Sequence, residues 1–262
     1  MGTDDYLAHP IGKDEDEKAD CLIYLCVITL NEALCDEIRP VFEENHRIYG
    51  SWKITEEVTR PELPVNRKRV ARLMRKLGLR SKVSKKYRAT TNSKHNLPVA
   101  ENLLNRDFTT TLPNEKWGSD ITCVPTDEGW LYLAGIMDLC SREVVGWAMD
   151  SRMKTELCLG ALHQALLRRQ SPKGVLLHSD RGSQYCSAAY QAELKKHHFI
   201  CSMSRKGNCW DNAPMESFWG KLKQEWLNDQ HFSTRQEAMS AIFYYIEVFY
   251  NRKRRHANIA YA

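Results

Sequence analysis

The spacing of hydrophobic and polar positions divides the chain into two differently patterned parts. In the first part apolar side chains recur at intervals of three and four, which predicts helices at 31–44, from a turn at 49–52 to about 60, and at 66–77. Beyond residue 117, short apolar or alternating runs separated by turn signals predict strands at 117–126, 130–137 and 143–149. We therefore expect an all-helical part followed by a part built around a sheet.

The rest of the pattern completes the element order of the second part. A helix is expected at 155–169, an apolar strand at 174–178, a helix at 187–197, a short strand at 199–203 and a long helix from about Met215. The resulting order, three strands followed by helix, strand, helix, strand and helix, is that of ribonuclease-H-like domains. The predicted fold class is α/β, with a mixed five-stranded sheet, flanking helices and a small all-α helix-turn-helix domain in front.

The third predicted helix has one apolar and one basic face. Asn66 is a suitable N-cap, and Gly78 is placed to end the helix. The apolar face has the spacing i, i + 3, i + 4 and i + 7 and consists of Val70, Leu73, Met74 and Leu77. The basic face consists of Arg67, Lys68, Arg69, Arg72, Arg75 and Lys76. Such a helix can lie against DNA phosphates or in a groove, which predicts a helix-turn-helix domain. The alternative is a basic amphipathic helix within a linker.

Charge and composition suggest the domain boundaries. Residues 1–30 begin with an acidic stretch of low hydrophobicity, which predicts a disordered lead before a helix-turn-helix domain at 31–80. Residues 81–114 lose periodicity and are rich in polar and basic residues, which predicts a basic linker before the sheet-containing, ribonuclease-H-like part at 115–262. Residues 66–94 contain twelve Lys or Arg and no Asp or Glu. This charge favours polyanion binding over a merely solvated surface.

Overall composition excludes several classes of protein. The 262 residues are 42% hydrophobic and 27% charged, with a net charge of +5, which is ordinary for a globular protein. No apolar run approaches the roughly 18 residues needed to span a bilayer, and the acidic start is unlike a secretory signal, so we expect a cytoplasmic protein. The nine cysteines form no CxxC pair, which argues against a zinc finger or a secreted disulfide scaffold.

Three carboxylates are candidates for a shared site because of their predicted positions. Asp120 lies within a strand, Asp180 at the exit of a buried type of strand, and Glu216 at the start of a helix. Buried carboxylates need a compensating partner, and hard oxygen ligands suit Mg²⁺ or Mn²⁺. Two such ions about 4 Å apart can drive phosphodiester chemistry. Taken singly, Asp180 has an alternative as a turn residue and Glu216 as an acid in the first turn of a helix.

Several motifs together resemble a known family. They are WGSDIT at 117–122, GWLYLA at 129–134, DLCSR at 138–142, VGW at 145–147, HSDRGSQY at 178–185, SMSRKGN at 202–208, DNAPMES at 211–217, KLK at 221–223 and YN at 250–251. The chain closely resembles the integrase-like DDE transposases of bacterial insertion sequences. The match is to the second-reading-frame product (OrfB) of the insertion-sequence-three family, within the retroviral-integrase superfamily, over about residues 31–261.

The resemblance implies a metal-dependent DNA strand-transfer enzyme. Asp120, Asp180 and Glu216 would be the catalytic ligands of two Mg²⁺ ions, with Mn²⁺ as a substitute. Lys223, seven residues after Glu216, matches a Lys or Arg that holds the element end, and Arg181 and Lys206 are further candidate DNA contacts. The implied partners are double-stranded element ends and target DNA, further copies of the chain in a homo-oligomer on that DNA, and an upstream-frame product or fusion. The implied location is the bacterial cytoplasm, at the nucleoid.

Neighbouring residues also have expected roles. Asn208, Asp211 and Asn212 are expected to cap the loop before Glu216, with contact to DNA as the alternative, and His178 is expected to tune the site without ligating. Residues 182–184 are expected to form a tight polar loop. The aromatic-rich helix at 243–250 is expected to pack in the core, with a basic terminus at 252–255 near DNA.

Two other functions are compatible with the same sequence. A catalytically silent DNA-binding remnant or inhibitor is suggested by the short C-terminus, because relatives continue with a Ser-Pro-containing tail. A ribonuclease-H-like nuclease without joining activity is the third possibility. The intact acids argue against the first alternative, and the basic helix together with Lys223 argues against the second.

Overall fold

A computed structural model describes residues 13–61, 64–82 and 97–255. The chain divides into two compact units, Met1–Lys82 and Val83–Ala262. The described part of the first unit consists of three helices: α1 (Lys13–Glu44), α2 (Ser51–Val58) and α3 (Arg67–Lys76). Within that unit each helix contributes buried side chains, and these are Leu34, Ile38, Phe42, Ile54, Val58, Val70, Leu73 and Met74.

Helix α3 has the capping and the two faces that its sequence predicts. The side chain of Asn66 accepts a hydrogen bond of 2.8 Å from the backbone N–H of Lys68, which satisfies one of the unpaired donors of the first turn. Leu77 is half-buried at the C-cap. Gly78 follows with a φ of +68°, a conformation that glycine adopts without steric cost.

The predicted disordered lead is wrong for residues 13–30. Helix α1 begins at Lys13, whereas the sequence pattern placed its start at residue 31. No Gly or Pro, the two strongest helix breakers, occurs between residues 13 and 39. The acidic start of this stretch therefore does not prevent a helix, and the residues from 21 to 30 are mostly apolar. Residues 1–12 of the predicted lead lie outside the described residues.

The second unit contains a five-stranded mixed sheet. Its strands are β1 (Lys116–Thr126), β2 (Gly129–Asp138), β3 (Val144–Asp150), β4 (Leu176–Ser179) and β5 (Ile200–Met203). Their spatial order is β3-β2-β1-β4-β5. The first three strands pair antiparallel as a meander, while β4 pairs parallel to β1 and β5 parallel to β4. The predicted mixed five-stranded sheet is confirmed, with strand ends within about two residues of the expected positions.

Helices cover both faces of this sheet. On one face, α4 (Thr155–Arg168) and α6 (Ala188–Lys196) pack with strand residues in a continuous apolar cluster. On the other face, α7 (Ala213–Leu222) packs on β1, and α8 (Arg235–Phe243) packs on β1 and β2. Both C-terminal helices continue as π-helical segments, at Lys223–Leu227 and Tyr244–Tyr250. The expected aromatic core is present there, with Tyr245, Phe249 and Tyr250 buried.

Two local elements differ from the sequence-based expectation. The expected polar loop at 182–184 runs into a short helix, α5 (Ser183–Cys186), before α6. The segment that precedes α7 contains a 3₁₀ helix, Cys209–Asn212. These two short helices lie next to residues with predicted site roles: α5 follows Asp180, and the 3₁₀ helix precedes Glu216.

The predicted basic linker extends too far towards the C-terminus. Residues 97–114 belong to the second unit, where the backbone N–H groups of Leu103 and Leu104 both donate to Ser202 Oγ. The backbone N–H of Met203 also donates to the carbonyl of Glu101. These contacts join residues about one hundred positions apart, so local periodicity could not reveal them. Residues 83–96 of the predicted linker lie outside the described residues.

The predicted basic terminus at 252–255 is wrong for one of its arginines. Arg254 is buried and pairs with the buried carboxylate of Glu225 through Nε at 2.8 Å and also through Nη2. The hydroxyl of Tyr245 donates to the same carboxylate at 2.7 Å. Arg254 thus ties the end of the described chain to the π-helical segment after α7. Across the described ranges, no helix combines the length and the apolarity that a membrane crossing requires.

Candidate active site

Asp120 lies in the middle of β1, on the face that α7 covers. Successive residues of a strand point to opposite faces, so Gly118 and Asp120 share one face while Trp117 and Ser119 lie on the other. Asp120 is buried, and the indole Nε1 of Trp219 donates a hydrogen bond of 3.0 Å to its Oδ2. The neighbouring residue on β2 is Gly135, which pairs with Asp120 in the antiparallel register.

Asp180 stands next to Asp120 at the edge where β4 ends. The parallel register pairs Gly118 with His178, so Asp120 and Asp180 each come two residues beyond a paired position on adjacent strands. Asp180 follows the last residue of β4, Ser179, and its Oδ1 accepts a 2.8 Å hydrogen bond from the backbone N–H of Gly182. This turn fixes the carboxylate at the start of the segment that leads into α5.

Glu216 approaches the two aspartates from α7. It lies in the first turn of that helix, after Pro214 at the N-terminus, and is half-buried. The helix is held against β1 by Asn212, whose Nδ2 donates to the carbonyl of Ser119 at 3.0 Å. Met215 packs over Gly118, with its Cγ 3.3 Å from the position that a Cβ would occupy. The strand and helix that carry Asp120 and Glu216 are therefore in direct contact.

The three carboxylates influence one another electrostatically. Burial raises the pKa of Asp120 well above its ordinary range, and the charges of Asp180 and Glu216 raise it further. A backbone hydrogen bond at Ile121 and the indole of Trp219 act in the opposite direction. Burial also raises the pKa of Glu216. The structure thus brings together the three acids that the sequence singled out, in a setting that penalises their simultaneous ionisation.

The donor set fits a divalent cation in its chemistry. Carboxylate oxygens are the ligands that Mg²⁺ prefers, and a cation between buried Asp120 and the half-buried Asp180 and Glu216 would relieve the cost of their charge. Within residues 13–61, 64–82 and 97–255, no three His, Cys, Asp or Glu side chains are already arranged as a ligand set. One oxygen each of Asp120 and Asp180 is hydrogen-bonded to a protein donor, at Trp219 and Gly182. Two of the three acids, Asp120 and Asp180, thus each have one carboxylate oxygen engaged by a donor of the protein.

Lys223 lies within the electrostatic influence of this group. It begins the π-helical segment after α7 and is half-buried. Burial lowers the pKa of its ammonium group, while the thiol of Cys123 and the carboxylate of Asp120 raise it. The side chain therefore supplies a partly desolvated positive charge that senses the carboxylate of Asp120.

The other predicted DNA contacts differ in how available they are. Arg181 is half-buried, and its Nε donates to the carbonyl of Ser204, so this side chain also supports the loop after β5. Lys206 in that loop is exposed. In the first unit, Arg69 is half-buried and donates through Nε to Asn31 Oδ1 at 2.9 Å. The remaining cations of the predicted basic face are exposed, and these are Arg67, Lys68, Arg72, Arg75 and Lys76.

Asp211 is a structural centre whose full role the sequence reading missed. Its fully buried carboxylate accepts hydrogen bonds from the guanidinium groups of Arg205 and Arg106, from the amide of Asn102 and from the backbone N–H of Arg205. These partners hold the pKa of Asp211 far below its usual range, the side-chain bond from Arg205 being the largest cause. The expected loop cap also anchors residues 102–106. A buried-polar role is not visible in local sequence, because two partners lie over one hundred positions away.

His178 is buried between two strands. Its Nδ1 lies 2.9 Å from Ser202 Oγ and its Nε2 lies 3.0 Å from Ser204 Oγ. Burial lowers the pKa of the imidazole to about 4. These contacts join β4 to β5 and to the loop that follows, so they give His178 a structural role and do not support the predicted tuning role.

Comparison with known protein families gives matches over both units. Two models described as "Integrase core domain" match residues 110–209 and 198–262, and a model described as "HTH-like domain" matches residues 29–87. The integrase match begins within the segment that packs against β5. The HTH-like match begins within α1 and includes all of α2 and α3.

Curated relatives cover most of the chain. The "Insertion element IS600 uncharacterized 31 kDa protein" of Shigella sonnei is 50% identical over 87% of this chain and 84% of its own length. The "Transposase InsF for insertion sequence IS3A" of Escherichia coli strain K12 is 48% identical over 85% of this chain and 78% of its own length.

Solved structures show a more distant likeness. A simian T-cell lymphotropic virus intasome in complex with PP2A regulatory subunit B56 gamma aligns with a TM-score of 0.47 and 17% identity, covering 81% of this chain and 69% of that chain. An HTLV-2 integrase catalytic core domain in complex with magnesium aligns with a TM-score of 0.42 and 18% identity, covering 52% and 87%. Neither likeness is close enough for a functional comparison.

The near relatives settle the family. Identity of about one half over more than four fifths of the chain accompanies both an integrase core match and an HTH-like match. The chain belongs to the IS3 family of insertion-sequence transposases, whose integrase core is a polynucleotidyl transferase with a ribonuclease-H-like fold.

Proposed function

We propose that Asp120, Asp180 and Glu216 are the catalytic residues of this transposase and hold two Mg²⁺ ions, with Mn²⁺ as a substitute. The integrase core family is metal-dependent, and the three acids meet at one place in this chain. The observation that supports the residue assignment is the placement of Asp120 and Asp180 two residues beyond the paired Gly118 and His178, with the helix of Glu216 docked on β1 through Asn212. In agreement with this placement, the charges of Asp180 and Glu216 raise the pKa of buried Asp120. A cation among them would offset this repulsion.

The reaction proposed for the site is cleavage at an element end followed by joining to target DNA. Asp120, Asp180 and Glu216 would hold two Mg²⁺ ions, which would supply activation of the attacking oxygen and stabilisation of the leaving oxygen of a phosphodiester. In cleavage, the oxygen of water bonds to the phosphorus, and the bond between that phosphorus and the 3′ oxygen breaks. The 3′ oxygen takes up a proton and becomes a free 3′-hydroxyl. In joining, that 3′-hydroxyl oxygen bonds to a target phosphorus, and the displaced target 3′ oxygen takes up a proton. Each step exchanges one bond to phosphorus for another.

The protein's own contribution to these steps is the placement of charged groups. Asp120 lies in the middle of β1 and Asp180 just after the end of the adjacent parallel strand β4, and Glu216 is fixed by the docking of α7 on β1. Lys223 would bind a phosphate of the element end next to the acids, because its partly desolvated ammonium lies within the field of Asp120. Lys206 and Arg181 would contact the same strand, with Arg181 also holding the loop through Ser204.

The first unit would supply additional binding to the element end. Its HTH-like match agrees with a DNA-binding domain at about residues 31–80, and the exposed cations of α3 form a face suited to phosphates. We also propose a homo-oligomer on DNA, completed by an upstream-frame product or fusion, at the bacterial nucleoid. These last proposals rest on the family resemblance.

Strand transfer by the purified chain tests the proposed function. A labelled, pre-nicked element-end duplex and a plasmid target are incubated with Mg²⁺ or Mn²⁺, and joined product is measured. Asp120→Asn, Asp180→Asn and Glu216→Gln should each abolish joining while leaving binding of the end duplex unchanged. Joining by any of these variants at the wild-type rate would refute the residue assignment. Tight end binding by wild type without joining would instead favour a silent DNA-binding subunit, and cleavage without joining would favour a nuclease.

A further inference from the structure

The contact between Trp219 and Asp120 links two of the proposed ligands through one helix. Trp219 lies three residues after Glu216 on α7, and its side chain is fully buried. Its Nε1 donates to Asp120 Oδ2 at 3.0 Å. The helix that carries one acid therefore also supplies the hydrogen-bond donor that contacts another.

Gly135 provides the space that this indole occupies. It pairs with Asp120 across β1 and β2, so both residues present the same face of the sheet to α7. A Cβ at residue 135 would lie 2.7 Å from Cη2 and 3.1 Å from Cζ2 of Trp219. The first distance is shorter than real Cβ contacts. Only glycine allows the ring to lie across this position with its N–H at the carboxylate.

The surrounding packing restricts the ring to this place. The ring of Phe218 lies 4.7 Å from that of Trp219, centroid to centroid, and Met215 approaches Gly135 from the same helix. Asn212 bonds the carbonyl of Ser119, which immediately precedes Asp120. The position of α7 on β1 is thus fixed by three residues at the start of the helix and along it: Asn212, Met215 and Trp219.

We infer that Trp219 is a positioning residue for Asp120, and that Gly135 is required to admit its ring. The indole N–H holds Oδ2, so that the Asp120 carboxylate is kept in one orientation relative to the acid carried by the same helix. Protein groups that orient metal ligands in this way commonly change metal affinity by 10- to 100-fold when they are removed. This inference rests on the proposed function, because it treats Asp120 as a metal ligand.

Trp219→Phe is the decisive substitution, because it retains an aromatic ring and removes the N–H. We expect Mn²⁺ affinity, measured by electron paramagnetic resonance of the free ion with the DNA-free chain, to fall at least tenfold. The Mn²⁺ concentration needed for half-maximal strand transfer should rise by a similar factor. Binding of the element-end duplex should not change. Gly135→Ala should give the same pattern although the indole is intact, because the ring would be displaced.

Trp226→Phe is the matched control. Trp226 lies on the π-helical continuation of α7 and stacks on Tyr244 at 5.4 Å and on Phe249 at 6.1 Å. The same chemical change there should leave Mn²⁺ affinity as in wild type. Melting temperatures of all variants, measured by circular dichroism, identify a general loosening of the core.

The outcomes separate this inference from the proposed function. Wild-type Mn²⁺ affinity in Trp219→Phe overturns the positioning role, and so does an equal loss in Trp226→Phe. If wild type binds no Mn²⁺, or if Glu216→Gln joins DNA normally, the proposed function fails and the inference falls with it. A selective loss in Trp219→Phe and Gly135→Ala, with Glu216→Gln inactive, supports both.

Discussion

Asp211 and Arg205 form a two-pronged ion pair at the base of the loop between β5 and α7. Nη2 of Arg205 lies 2.7 Å from Oδ1 of Asp211, and Nε lies 2.9 Å from Oδ2. The carboxylate is fully buried, whereas 46% of the guanidinium side chain is exposed. Arg106 and Asn102 bind the same two oxygens from a distant part of the chain. The loop that leads to Glu216 is therefore anchored at one carboxylate.

Replacing Asp211 with Asn should destabilise the second unit and impair catalysis. The amide retains one oxygen, so several charge-assisted hydrogen bonds would be lost or reversed, at a cost of about 2 kcal/mol. Strand transfer should fall more than tenfold, because the segment before Glu216 loses its anchor. Urea denaturation and the joining assay measure the two effects. Glu156→Gln, at an exposed carboxylate of α4, is the control and should be near wild type. Equal behaviour of the two variants would contradict the anchoring role.

The stabilisation by Asp211 should depend on pH in a defined direction. Its folded-state pKa is held below the ordinary value of about 3.9. A carboxylate whose pKa is lower in the folded state contributes its full stabilisation of the folded protein above its unfolded-state pKa. This contribution disappears as pH falls through the folded-state pKa. The difference in urea midpoint between wild type and Asp211→Asn should therefore be constant from pH 7 to 5 and shrink at more acidic pH. A difference that grows on acidification would contradict this assignment.

The buried pair of Glu225 and Arg254 gives a separate prediction about stability. Removing one partner of a buried ion pair commonly costs about 3–5 kcal/mol, because the other charge stays buried. Arg254→Met should show this loss in urea denaturation, and Glu225→Met with Arg254→Met should lose much less than the sum of the two single changes. Arg252→Met, at an exposed neighbouring arginine, is the control. Equal stability of Arg254→Met and the control would refute the role of the pair.

The exposed cations of α3 should determine the salt dependence of DNA binding. Each phosphate contact releases counterions, so losing one should flatten the slope of log K against log salt by about one unit. Arg72→Ala and Arg75→Ala should each show this effect with an element-end duplex. Arg69→Ala should lower stability more than the salt slope, because Arg69 bonds Asn31. Unchanged slopes in Arg72→Ala and Arg75→Ala would show that α3 does not lie against DNA.

Much of the fold could be predicted because its signals are local. The run of apolar and small residues along β1, the apolar face of α3 and the cap at Asn66 all depend on neighbours within a few residues. The beginning of α1 at Lys13 could not be predicted from such signals, because the acidic and weakly hydrophobic start of the chain is typical of disorder. The predicted linker is too long because the backbone N–H groups of Leu103 and Leu104 donate hydrogen bonds to Ser202, a partner that no local pattern indicates.

The candidate site was predictable for the acids and less so for the residues around them. Asp120, Asp180 and Glu216 stand at strand and helix positions that a shared site requires, and the fold brings these positions together. Gly135 and Trp219 carried no such signal, because their relation depends on strand register and helix docking. Buried polar partners such as Arg254 look like surface charges in the sequence.

Replacing a proposed ligand with a softer one tests the metal site most directly. Asp180→Cys presents a thiolate, which binds Mg²⁺ poorly and accepts softer ions such as Mn²⁺ more readily. We predict strand transfer by wild type with either ion, almost none by Asp180→Cys with Mg²⁺, and partial recovery by that variant with Mn²⁺. Strand transfer by Asp180→Cys at the wild-type rate with Mg²⁺, or by wild type with every divalent ion chelated, would contradict the account.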